Sequence, residues 1–244
     1  MDNCCVLISS TIVPREGRDN SIVKSVHSSE ERILQTRRTI ESLQTLGYDN
    51  IYLFDNSGRE YQETLESAFQ NIHLKVFDHY QYDNKGISET FLMLEGIRYV
   101  PDSCPIIKLS GRYQIARRLE LDTNNYDLAA KIYRHRGRLF RNTETMATRC
   151  YVLRNKAIYQ SYLIGLLQEM YAYSSRIVGF GSLKRFLTNQ FFSENNVYSF
   201  FDPSLSVEAA SIRVIRNLNL KLCRLDAIGL NGLAGTFSNL LIED

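Results

Sequence analysis

The sequence predicts an α/β domain with a mostly parallel sheet flanked by helices, and three observations carry that prediction. Short apolar runs alternate with helix-periodic segments between residues 5 and 109, as in parallel strands joined by crossover helices. The runs are continuously apolar, which suits strands buried on both faces. Polar turns such as Asp55-Asn56-Ser57 follow them directly, at the strand ends where open α/β sheets bind ligands.

The elements follow in order. Cys5 to Val13 reads as a buried strand ended by Pro14, and residues 14–29 as a polar loop. Ser29 to Leu46 reads as a helix, with Ser29 as N-cap, Glu30 and Glu31 in the first turn, and Ile33, Ile40 and Leu43 on one face. Gly47 supplies its stop. Ile51 to Phe54 is a second strand, residues 60–71 a short helix, and Leu74 to Phe77 a third strand. In the helix from Ile87 to Tyr99, Ile87, Phe91, Leu94 and Ile97 recur at helical spacing; Pro101 ends it, and Pro105 to Leu109 is the fourth strand.

The second half is less regular. Tyr126 to Tyr133 and Thr148 to Leu153 read as strands flanking a basic loop. Asn155 to Tyr173 and Ser182 to Phe192 read as helices, and Val197 to Phe201 as a strand. The tail from Ile228 is rich in Gly and Asn and ends on a short apolar piece. No repeat or linker interrupts the 244 residues, so one domain is expected.

Composition narrows the function only by exclusion. With 44% hydrophobic and 23% charged residues the chain is neither disordered nor collagen-like, and a formal charge of +2 implies no nucleic-acid partner for the molecule as a whole. The five cysteines include no CxxC spacing, so neither a disulfide framework nor a zinc site is expected, and a reducing, cytoplasmic compartment fits. No run reaches the roughly 18 apolar residues of a transmembrane helix, which leaves peripheral membrane contact open.

The densest chemistry lies in Asn84-Lys85-Gly86-Ile87-Ser88-Glu89, then a helix, then Lys108-Leu109-Ser110-Gly111-Arg112-Tyr113. Gly86 ahead of a helix N-terminus would let backbone N–H groups approach an anion such as a diphosphate, with Lys85 adding charge. A solvated turn capping an amphipathic helix is the plainer alternative.

In succession these motifs resemble the GT-A nucleotide-sugar glycosyltransferases, family 2 above all. Ser9-Ser10-Thr11 is similar to the turn after their first strand, Asp55-Asn56-Ser57 to the Asp-containing turn that contacts the nucleoside, and Asn84-Lys85-Gly86 to their Asn-x-Gly segment. The likeness covers residues 5–115; beyond them only Gly232 to Thr236 looks like a segment of polysaccharide-assembly transferases, bacterial or viral. The resemblance implies a nucleotide-sugar-binding half (1–115) and an acceptor-binding half (116–244). It also implies a nucleotide-sugar donor, a glycan or lipid-linked acceptor, and donor contacts from Ser9, Ser10, Thr11, Asp55, Asn84, Lys85, Gly86, Ser110, Gly111 and Tyr113.

One departure is informative. Where the family follows its fourth strand with Asp-x-Asp for Mn²⁺ or Mg²⁺, this chain has Lys108-Leu109-Ser110-Gly111-Arg112 instead. Lys108 and Arg112 are therefore expected to neutralise the departing diphosphate, unless Lys108 simply snorkels from a strand end. Asp78 or Asp83 would have to recruit a divalent metal if one is used.

The basic stretch from Lys131 to Arg149 supplies Arg134, Arg136 and Arg138 as candidates for a phosphorylated acceptor, against a merely solvated hairpin. Arg32, Gln35 and Arg38 fall on the first helix near the strand-end crevice, and the four histidines are expected on the surface. The catalytic base of an inverting enzyme is sought among Glu169, Glu194 and Asp202, with Glu169 first because its helix is largely apolar; a structural ion pair with an arginine is its alternative role. Nucleotidyl transfer and a non-catalytic glycan- or RNA-binding module are the competing functions. The first lacks a Gly-rich loop after strand one, and the second would show steeply salt-dependent nucleic-acid affinity.

Overall fold

The computed structural model describes residues 4–14, 27–79, 82, 84–119, 122, 124–136, 142–175, 183, 205–233 and 240–243. Along the chain run β1 (Cys5–Ser10), α1 (Ser29–Thr45), β2 (Ile51–Asp55), α2 (Gln62–Ala68), β3 (His73–Val76), α3 (Lys85–Gly96), β4 (Ile106–Ser110) and β5 (Tyr113–Ile115). Then follow β6 (Leu128–Arg136), β7 (Asn142–Leu153), α4 (Lys156–Ser175), α5 (Val207–Asn217), β8 (Leu222–Arg224), β9 (Leu230–Leu233) and β10 (Leu240–Glu243).

The mostly parallel sheet flanked by helices is present. Seven strands lie in the order β3-β2-β1-β4-β7-β6-β8. Neighbours are parallel from β3 through β4 and again between β6 and β8, and β7 runs antiparallel between β4 and β6. A small antiparallel sheet, β10-β9-β5, flanks it. The core lies on both faces of the large sheet. Leu7, Phe54 and Ile106 turn to one side with Met93, Tyr159 and Tyr162; Val6, Ile8, Leu53 and Leu109 turn to the other with Ile40, Leu43 and Tyr113. That two-sided burial is why β1, β2 and β4 read as unbroken apolar runs.

The N-cap of helix α1 lies one residue earlier than predicted. Ser28, not Ser29, caps it, in a capping box with Glu31, and Gly47 follows its end at φ 77°. Helix α3 lies so close to β2 that a Cβ on Gly96 would stand 2.3 Å from the ring of Phe54, itself fully buried. Gly96→Ala is therefore expected to destabilise the protein by about 1–3 kcal/mol, the usual cost of overpacking, measurable by urea titration.

Four expectations need correction. Cys5 and Cys104 are joined as a disulfide, against the reading that no cysteines pair. Their positions are 99 residues apart in sequence, yet the parallel pairing of β1 with β4 brings them side by side. Strand β7 begins at Asn142 rather than Thr148, because its first residues leave the core and no longer show apolar patterning. Helix α5 was missed, although Ser206 caps it and Ala210, Val214 and Ile215 are buried on one face. His27 and His79 are only partly exposed, unlike His73 and His135. The predicted helix Ser182–Phe192 (save residue 183) and strand Val197–Phe201 lie outside the described residues. Among the described residues, no helix is long and apolar enough to cross a membrane.

Candidate functional site

A cleft of about 180 Å³ opens at the C-terminal ends of β1, β2 and β4. The ends of β1 and β4 contribute Ser9, Ser10 and Thr11 on one side and Ser110, Gly111 and Arg112 on the other. Helix α1 adds Arg32 and Thr36, the turn after β2 adds Asn56, and α3 adds Lys85, Ser88, Glu89 and Leu92. Parallel strands pointing one way leave this edge to loops and helix starts, so polar side chains collect there without facing the core.

The floor is rigid. The Gly111 N–H donates to the Ser9 carbonyl at 3.0 Å, and the Thr36 hydroxyl donates to the Gly111 carbonyl at 3.0 Å. A Cβ on Gly111 would lie 3.2–3.3 Å from Ile8, Ser9 and Thr36, so a larger residue would crowd this junction. A Cβ on Gly232 would meet the Arg112 carbonyl at 2.5 Å; the tail glycine thus lets β9 close against the cleft's own backbone.

Two arginines, Arg32 and Arg112, line this cleft together. Arg32 donates through Nη1 to the Thr11 carbonyl, while its Nε is buried with no partner among the described residues. Burial first, and the Arg112 charge next, push the Arg32 guanidinium down to about 10, against a pull from Asp55. Two cations held close at a cost to one of them form a site that an anion would relieve.

The carboxylate in the lining is already neutralised. Glu89 Oε1 accepts from the Ser9 hydroxyl and forms an ion pair with Lys108 Nζ at 2.5 Å. Lys108 is 1% exposed, and its Nζ also donates to Ser110 Oγ at 3.0 Å and to the Thr148 carbonyl at 2.8 Å.

Of the residues expected to bind donor, Ser9, Ser10, Thr11, Lys85, Ser110, Gly111 and Arg112 line the cleft together. The others lie behind it. Asp55 is fully buried and accepts from the Ile12 and Ser57 N–H groups at 3.0 and 2.8 Å, so it braces the turn after β1 rather than reaching a nucleoside. Burial pushes its carboxyl upward, with those hydrogen bonds opposing. The Asn84 side chain caps α3 through the Gly86 N–H at 3.0 Å. A Cβ on Gly86 would meet Val207 at 2.8 Å, so this glycine serves the contact with α5 and not with a ligand. Tyr113 is buried beneath the Arg149 guanidinium. Lys108 neither lines the cleft nor snorkels; its charge is spent on Glu89.

Glu169 is held between helices α4 and α5, accepting from Asn217 Nδ2 at 2.6 Å beside Arg213 at 3.9 Å. The structural ion pair is the role the geometry gives it. Arg134 belongs to a cluster in which Arg134, Arg216 and Arg224 surround Glu144; Arg224 first and Arg134 next hold its carboxyl below the ordinary range, against partial desolvation. The hairpin β6–β7 runs past the end of β4 on the cleft side: Leu109 pairs with Cys150, and Arg134 lies opposite Glu144, six residues further and about 20 Å on at 3.3 Å per residue. Arg136 ends β6, while Arg138, Asp83, Glu194 and Asp202 lie outside the described residues.

Sequence reasoning placed Arg32 near the crevice but gave it no role, and it left Glu89 unassigned. Both sit on helix faces whose orientation toward the strand ends is set by packing. A divalent cation does not fit the described lining: the end of β4 brings Ser110 and Arg112 to it, and the one carboxylate is compensated by Lys108. Among the described residues no three His, Cys, Asp or Glu side chains converge.

No protein-family model matches the chain, and no curated protein matches it. Similar solved structures include a nucleoside-diphosphate-sugar pyrophosphorylase from Vibrio cholerae, 8% identical, covering 90% of each chain at a TM-score of 0.48. Another is the galactosyltransferase LgtC bound to donor and acceptor sugar analogues, 10% identical, covering 92% of this chain and 85% of its own at 0.46. A third is 4-diphosphocytidyl-2C-methyl-D-erythritol synthase from Anaerococcus prevotii, 11% identical, covering 89% and 97% at 0.40. At these identities and scores they assign neither activity nor substrate to this chain.

Proposed function

We propose that this chain is a glycosyltransferase that moves a sugar from a nucleotide-sugar donor to a glycan or lipid-linked acceptor in polysaccharide assembly. The observation that carries the reading is the convergence of Arg32 and Arg112, with Lys85, on one strand-end cleft whose own carboxylate is cancelled by a buried lysine. The Arg32 and Arg112 guanidinium groups match the charge of a diphosphate, and their hold strengthens as the leaving group gains charge when the bond to the sugar breaks. Arg112 and Arg32 hold the diphosphate in place of a metal. Ser9, Ser10 and Ser110 offer hydroxyls to the phosphates or the sugar, and the Gly111 backbone sets their spacing.

The arginine-bearing hairpin β6–β7 would form the far wall and receive a phosphorylated acceptor through Arg134 and Arg136, with Arg138 as the further candidate. The protein would work at or near a membrane surface that carries such acceptors; with Cys5 and Cys104 joined, the cysteines no longer argue for a reducing compartment.

A nucleoside diphosphate (UDP, GDP, CDP or TDP) at a hundred times its Kd is expected to raise the melting temperature by about 5–10 °C, with EDTA present as much as with Mn²⁺. No shift with any of the four would end the proposal. Because the same cations would also hold a triphosphate, nucleotidyl transfer is separated by assaying pyrophosphate release from nucleoside triphosphates.

A further inference from the structure

We propose that Glu89 is the catalytic carboxylate of the cleft, the group that takes the proton of the attacking hydroxyl, with Lys108 as its positioning residue. This rests on the glycosyl-transfer reading above. Among the described residues that line the cleft, Glu89 is the one carboxylate. Its two oxygens are used unequally. Oε1 takes both the Ser9 hydroxyl and the Lys108 ammonium, while Oε2 has no partner among the described residues and the side chain is 28% exposed. The carboxylate is thus clamped by one oxygen and offered by the other.

The clamp is itself fixed. Lys108 is pinned to Ser110 Oγ and the Thr148 carbonyl, so the ammonium cannot follow a wandering carboxylate. Ser9, one residue before the end of β1, is paired directly in register with Ser110 at the end of β4. Glu89 is therefore tied to the same two strand ends that present Arg112, and the base and the diphosphate holders share one rigid frame. An unpaired carboxylate here would also repel the incoming diphosphate; the Lys108 charge removes that repulsion while leaving Oε2 available.

The step balances as an inverting displacement. The acceptor hydroxyl oxygen attacks the anomeric carbon from the face opposite the diphosphate. The carbon–oxygen bond to the β-phosphate breaks, and its electron pair stays on the phosphate oxygen beside Arg112 and Arg32. The hydroxyl proton passes to Glu89 Oε2. With water as acceptor the same step is donor hydrolysis, which needs no knowledge of the natural acceptor.

The test uses the full chain and whichever nucleoside-diphosphate sugar most raises its melting temperature. The double variant E89Q/K108M removes both charges of the buried pair together, which such pairs tolerate, so the fold should persist. Its affinity for the nucleoside diphosphate is expected within about threefold of wild type, and its donor hydrolysis at least ~100-fold slower. E89D keeps the charge but retracts the oxygens from the fixed ammonium; it is expected to hydrolyse ~10-fold or more slowly per folded molecule. A double variant or E89D that retains nearly the wild-type rate overturns the assignment. So does a set of variants that lose heat stability but not rate per folded molecule, since that is the signature of a structural pair. If wild type itself neither binds nor hydrolyses any nucleotide sugar, the glycosyl-transfer reading fails and this assignment fails with it. Binding with normal turnover in the variants sinks the assignment alone.

Discussion

Lys108→Met is expected to destabilise the protein by about 2–4 kcal/mol, or roughly 4–16 °C in melting temperature for a chain of this length. The substitution is nearly isosteric, so lost packing is a small part of the effect. What it leaves behind is costly: Glu89 keeps one donor, Ser9, and the Thr148 carbonyl and Ser110 hydroxyl lose their partner inside the sheet. The figure sits below the full penalty for breaking a buried pair because Glu89 reaches the cleft and water can reach it. Removing Glu89 in the same molecule should restore most of the loss. The coupling between the two substitutions, read from urea titrations of both single variants and the double, should be of order 2 kcal/mol and favourable. Additive single effects would mean that the pair is not coupled and that the cleft floor owes its rigidity to something else.

Arg112→Ala is expected to act in the opposite pattern, on binding rather than on stability. Loss of a charge-assisted contact to phosphate should weaken nucleoside-diphosphate binding by about 10- to 100-fold, measured by calorimetry. The free protein should be as stable as wild type or slightly more so, because the Arg112 charge adds to the larger effect of burial in holding the Arg32 guanidinium down to about 10. A protein that gains stability when a residue is removed, and loses a ligand by the same change, holds that residue for the ligand. Arg112→Lys should recover only part of the affinity, since an ammonium lacks the planar fork that grips two phosphate oxygens. Unchanged affinity in Arg112→Ala would refute the cationic replacement of a metal. Lys108 carries no part of this prediction, for its ammonium is spent within the protein.

The sequence by itself determined the parallel half of the sheet and the location of the cleft. Runs such as Val6-Leu7-Ile8 and Ile51-Tyr52-Leu53-Phe54 are apolar at every position because both faces are covered, and a strand of that kind declares itself without tertiary information. The polar residues after each run had to lie at one edge of the sheet, which put Ser9, Ser10, Thr11, Ser110, Gly111 and Arg112 together correctly. The same reasoning misjudged Asp55, Lys108 and Gly86, because a motif says which residue stands at a strand or helix end and not which way its side chain turns. Period two along β4 sends Lys108 inward, where the ion pair with Glu89 and the Thr148 carbonyl hold it. Close packing of α5 on α3, not a ligand, accounts for Gly86. The Cys5–Cys104 disulfide, the long projecting hairpin and the ring of arginines around Glu144 join residues from 6 to 99 positions apart, through strand neighbours that no local pattern names. Backbone class followed from local periodicity; partnership between charges was decided by topology, since Coulomb attraction acts across space and carries no trace in the spacing of residues along the chain.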